Sequence, residues 1–168
     1  MFNGDIDGAA QYYTRVLQYP HGEVTPSTAT ILSAFMDGLI AFTKAQKHGI
    51  DEGQWTDVAL GVIAYFSALV KSSHWNFSQK LYLLQAEEQV LKGNDALAVE
   101  KYELSITTAQ KHRFIHEEGL GFERAGDYHV RMGRTNTATL CYMKAMKCFE
   151  RWGAHSVAHR IAEKCRRF

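Results

Sequence analysis

A glycine, an alanine five residues later and a tyrosine nine residues later recur along this chain. The set is Gly93, Ala98 and Tyr102 in "KGNDALAVEKY", then Gly133, Ala138 and Tyr142 in "MGRTNTATLCY" forty residues on. Gly4, Ala9 and Tyr13 repeat it in "NGDIDGAAQYY", while Gly53 keeps the glycine but has Val58 and Val62 at the later positions. Glycine adopts positive φ at little cost, so it reads as the tight turn that closes one helix before the next. The alanine marks where the second helix approaches the first too closely for a larger side chain. The tyrosine, one turn later on the same face, fills the space beside it. The preceding helices agree as well: Ala86 matches Gly126 and Tyr82 matches Phe122.

Composition permits such a fold and narrows what it can do. The only prolines are Pro20 and Pro26, so the chain from Ser27 to Phe168 can be helical almost throughout. Lys plus Arg is 19 against 18 acidic residues, which leaves no bulk field to attract nucleic acid or an anionic membrane. The longest apolar-rich run, Val58 to Val70, is shorter than the roughly 20 residues that a bilayer requires. Cys141, Cys148 and Cys165 are odd in number and lack paired-motif spacing, which suits reduced thiols and a cytoplasmic setting.

Apolar spacing is helical from about Thr28, with Ile31, Phe35, Leu39 and Phe42 on one side. The predicted layout is one domain over residues 1–168. It comprises a partial repeat over 1–19, helix pairs over 28–72, 78–112 and 116–153, and a closing helix over 156–165. "SSHWNFS" reads as a polar turn before a helix that starts near Ser78. Asn94 or Asp95, and Thr135 or Asn136, are the expected helix caps. A period of about 40 exceeds the 34 of the standard tetratricopeptide repeat (TPR), and helix pairs of this kind stack as a solenoid. The expectation is an all-α fold: antiparallel helix pairs stacked as a right-handed TPR-like superhelix, an α-solenoid. The N-terminal segment looks like the second half of a pair, so the chain is expected to be a fragment of a longer protein.

The run from Asn76 to Ala154 resembles the helical-repeat region of large multidomain signalling proteins. Those proteins join a serine/threonine-kinase-like domain, an AAA-type ATPase, this TPR-like segment, a GAF sensor and often a histidine kinase. The matching pieces are "NF" with "LLQAE", Gly93, Ala98, Tyr102, "HEEGL", Gly133 and "CFERWGA", the closing "WGA" being the most specific. The match covers roughly half the chain strongly and two-thirds in all. There is no G-x-x-x-x-G-K-[S/T] phosphate loop and no kinase signature, so the resemblance implies the interaction segment and no catalytic residue.

Other chemistries have little behind them. Asn3, Asp5, Asp7 and Gly8 start like an EF-hand loop, but Thr14 stands where the bidentate Glu belongs, and an N-cap with an acidic first turn explains them. His112 with His116, and His155 with His159, have the four-residue spacing of a helical metal pair, without an H-E-x-x-H pattern. A small metal-dependent enzyme using His155 and His159 is the least favoured alternative. The reading is therefore a non-catalytic interaction scaffold with no cofactor and no metal, whose partners are a protein or peptide and neighbouring domains of a parent protein. A concave groove is expected to be lined by Lys80, Leu83, Glu87, Glu123, Asp127 and Arg131. The alternative is a structural spacer that forms a homo-oligomer through exposed repeat ends.

Overall fold

The computed structural model describes residues 27–48 and 53–167, and among these every regular element is a helix. The chain divides into two compact units, residues 1–68 and 69–168. In the first unit, α1 (Thr28–His48) starts at Ser27, whose Oγ accepts the Thr30 N–H at 3.2 Å. The helix α2 (Gly53–Ser72) belongs to this unit as far as Ala68. Phe35, Leu39 and Phe42 of α1 and Ala59, Val62 and Phe66 of α2 are buried, and the Phe35 and Phe66 rings meet edge-on at 5.8 Å. The partial repeat over 1–19 and the EF-hand-like loop lie outside the described residues.

The second unit holds α3 (His74–Leu91), α4 (Asp95–Lys111), α5 (Ile115–Arg131), α6 (Thr135–Arg151) and α7 (His155–Cys165). The predicted boundary at Ser78 is four residues late. Ser73 alone separates α2 from α3, because small polar side chains here bond locally: Asn76 Nδ2 donates to Ser73 Oγ at 3.0 Å.

Each of the four turns after α3 has the same construction. Its last residue but one is left-handed: Gly93 (φ 72°), Arg113 (φ 62°), Gly133 (φ 70°) and Gly153 (φ 83°). The next N–H then bonds back across the turn, as in Asn94 N–H to Gln89 O at 2.9 Å and Phe114 N–H to Ala109 O at 2.9 Å. Arg134 to His129 (2.8 Å) and Ala154 to Phe149 (2.8 Å) repeat that bond. This is the six-to-one bond of a Schellman turn, and the residue that donates it is also the N-cap of the following helix. The caps are therefore Asn94, Phe114, Arg134 and Ala154, none of which bonds the helix through its side chain. Thr135 and Asn136 lie past the cap, since the turn is too tight to use them.

Direction follows from the bonds between helices. Tyr102 reaches Glu87 while Ser105 reaches Gln79, so α4 runs antiparallel to α3. Glu87 meets Arg124 and Lys80 meets Glu117, so α5 runs parallel to α3. Ala98, Ala138 and Ala158, each five residues after a left-handed glycine, are buried, as the close approach of consecutive helices requires. Gly126 shows how close: a Cβ there would lie 2.7 Å from Cε1 of the Tyr142 ring.

Candidate functional site

The charged residues that looked like a groove lining lie largely between the parallel helices α3, α5 and α7. Four of the ion pairs that join them lie between residues 37 positions apart: Lys80 with Glu117, Glu87 with Arg124, Glu123 with Arg160, and Asp127 with Lys164, while Glu123 with Lys164 spans 41. The helix-pair period is 40, so each partner sits one turn nearer the N-terminus of its helix than a strict copy would.

The centre of the ladder is Glu87, which is 0% exposed. Arg124 grips it side-on, Nε at 2.8 Å from Oε1 and Nη2 at 2.7 Å from Oε2, and Tyr102 Oη donates to Oε1 at 2.8 Å. Forty residues on, Tyr142 Oη donates to Asp127 at 2.7 Å and Lys164 Nζ lies 3.0 Å from both carboxylate oxygens. The two tyrosines of the sequence repeat thus do the same work. Each ties the acid of one helix to the next, and Tyr142 also fills the space beside Gly126.

Glu123 is held by Arg160 at 2.7 and 3.0 Å and by Lys164 at 2.7 Å. Burial pushes its carboxyl upward, but the Arg160 and Lys164 bonds outweigh that and hold it below its ordinary range. Glu117 behaves alike: burial raises it, while His116, Lys80 and Gln79 lower it further. Burial and the charge of Glu87 raise the Tyr102 phenol well above its usual value, and burial with Asp127 raises Tyr142. Burial opposes the charge on Arg124, yet Glu87 beside it lifts its pKa overall. These groups hold their protons or charges fixed near neutral pH, which suits clamping helices rather than transferring protons.

The groove list requires correction. Leu83, Glu87 and Glu123 are buried, the first in the core and the other two in ion pairs, so they offer no surface to a partner. Long charged side chains reach between the parallel helices α3, α5 and α7, so these residues are spent on one another. Lys80 is partly covered and paired with Glu117, Asp127 is half-buried, and Arg131 is exposed. A shallow notch of about 210 Å³ lies beside the second clamp, lined by Asp127, Val130, Tyr142, Lys164 and Arg167.

The histidine pairs do not converge on a shared point. His112 packs at a tilt of 50° against Trp75 with ring centres 3.8 Å apart, and His116 stacks on Trp152 at 4.9 Å. His159 is exposed and lies 3.9 Å from Glu163 on its own helix. Among the described residues no three of His, Cys, Asp and Glu are grouped to hold a metal ion. Cys148 is buried, and burial together with Glu118 pushes its thiol up to about 12, so it is a poor nucleophile at neutral pH. No described helix is long and apolar enough to cross a membrane.

Sequence reasoning missed the ladder, although acid and base recurring at a spacing of 37 were there to be read. It also missed Arg113 as a left-handed turn residue, because an arginine carries no turn signal of its own. Compared with known proteins, the chain matches no family model, no curated protein and no solved structure.

Proposed function

We propose that this chain is a non-catalytic interaction scaffold, its helix pairs stacked as a right-handed, TPR-like superhelix. In this reading it serves as the helical-repeat segment that links an ATPase module to sensor or kinase modules in a signalling protein, as its resemblance implies. The observation that carries the proposal is the clamp repeated forty residues apart, Glu87–Tyr102–Arg124 and Asp127–Tyr142–Lys164. Charged and tyrosine side chains that an enzyme would direct at a substrate are used here to register one helix pair on the next. What then differs from pair to pair is the outward surface, which is how repeat proteins recognise partners.

The partner is a protein or peptide, bound in part through Arg131 and the open edge of Asp127. The test is affinity capture with the intact chain and with Arg131→Glu. Loss of a reproducibly captured partner, with thermal unfolding unchanged, supports a groove on this side. Undiminished capture moves the binding surface elsewhere.

A further inference from the structure

The internal repeat serves as its own control for the surface. The outward stripe of α4 is Leu97, Glu100, Glu103 and Thr107, and the same register in α6 is Thr137, Leu140, Met143 and Lys147. The backbones are equivalent, yet two acids are replaced by two apolar side chains that stand in solvent, Leu140 at 59% and Met143 at 47% exposed. The fold asks for nothing apolar there, as α4 shows by placing glutamates at the same positions. Exposed Lys144 and Lys147 lie beside this pair, and Lys144 leans over the Phe122 ring with Nζ 5.2 Å from its centre. The complement is on the same molecule: Leu97, 46% exposed, followed by Glu100 and Glu103.

We propose that a second copy of this chain docks here, the α4 stripe of each copy facing the α6 stripe of the other. The helices α4 and α6 both run antiparallel to α5, so they are parallel to each other, and the Arg134–Asp95 pair ties their starts together. A two-fold axis along these helices sets α4 of one copy against α6 of the other in parallel. Equivalent positions then lie level to within about one turn, the offset that the ion pairs 37 residues apart show between α3 and α5, so Leu97 lies within about a turn of Leu140. Glu100 and Glu103 fall within about 6 Å, along the helix axis, of Lys144 and Lys147, inside the reach of a lysine side chain. Each interface residue is used once in each direction, which makes the contact self-complementary. The Lys101–Glu100 contact at 3.3 Å is exposed and easily exchanged for one across the interface.

Sedimentation of the full chain at low salt over a range of concentrations tests this. The wild type is expected to dimerise with rising concentration. Glu100→Lys with Glu103→Lys is expected to weaken the dimer about tenfold or more, from the loss and reversal of the charge pairs. Adding Lys144→Glu and Lys147→Glu to that variant restores the pairs with signs swapped and is expected to recover the dimer. Leu140→Glu with Met143→Glu abolishes it while circular dichroism stays that of the wild type. A wild type that remains monomeric at about millimolar concentration overturns the proposal and assigns the patch to a different, acidic partner. A dimer that ignores both charge reversals overturns it as well.

Discussion

The two clamps have the same parts and opposite surroundings. Glu87 has no exposed surface and is gripped by a guanidinium in two bonds, whereas Asp127 keeps 31% of its side chain exposed and is held by the single ammonium of Lys164, itself 29% exposed. Glu87 is enclosed with Tyr102 and Arg124, whereas Asp127 lines an open notch with Tyr142, Lys164 and Arg167. A carboxylate in the interior depends wholly on its partner, because desolvation leaves it no other source of stabilisation. One at the surface has water in reserve. A repeated motif therefore does not contribute a repeated energy.

The largest expected effect tests that contrast. Arg124→Met takes the guanidinium from the buried Glu87 carboxylate and is expected to cost about 3–5 kcal/mol, by denaturant unfolding. Lys164→Met leaves Arg160 on Glu123 and Asp127 open to water, and about 1 kcal/mol is expected. Equal losses would mean that burial does not set the difference.

Next comes Gly126→Ala. Its new methyl meets the Tyr142 ring, which cannot retreat without losing Asp127, and the overpacking is expected to cost about 1–3 kcal/mol, as read from the thermal midpoint. A gain in stability would show that the second clamp yields more readily than its geometry indicates.

Acid sharpens the comparison between the two units. Folding lowers the pKa of Glu117 and Glu123, so the stability they contribute is present above their ordinary value of 4.5 and is lost as pH falls through the depressed values. Asp37 in α1 is the reverse case. Burial raises it from 3.8 to about 6, against a weaker pull from the Ser33 hydroxyl, so its contribution is full below 3.8 and is lost as pH rises through about 6. Asp37→Asn is therefore expected to stabilise the protein at pH 7 and to lose that advantage by pH 4. The same difference at both pH values would contradict the assignment.

The smallest effect concerns Arg113, in the one of the four turns after α3 that lacks glycine. Arg113→Gly relieves a left-handed arginine and is expected to raise stability by up to about 1 kcal/mol, seen as a small rise in the thermal midpoint.

Helices were legible because their turns are: Gly93, Gly133 and Gly153 announce left-handed closures, and Ala98 and Ala138 announce close packing. Boundaries drifted where the signal was polar, as at "SSHWNFS", since serine and asparagine serve a helix start as well as a loop. Two of the expected groove residues are buried for a deeper reason. In a sequence the charge of Glu87 and Glu123 signals solvent, and only a partner 37 residues away makes a buried carboxylate tolerable. Pairing across helices is a tertiary fact, and a single helix does not display it.

The most direct test of the account is a double-mutant cycle on each clamp, Glu87→Gln with Arg124→Met and Asp127→Asn with Lys164→Met, each measured by denaturant unfolding. The expected coupling is above about 2 kcal/mol for the first pair and below about 1 kcal/mol for the second. Couplings that are equal, or that are both near zero, would contradict the claim that these repeated ion pairs register the helix stack and that burial sets their strength.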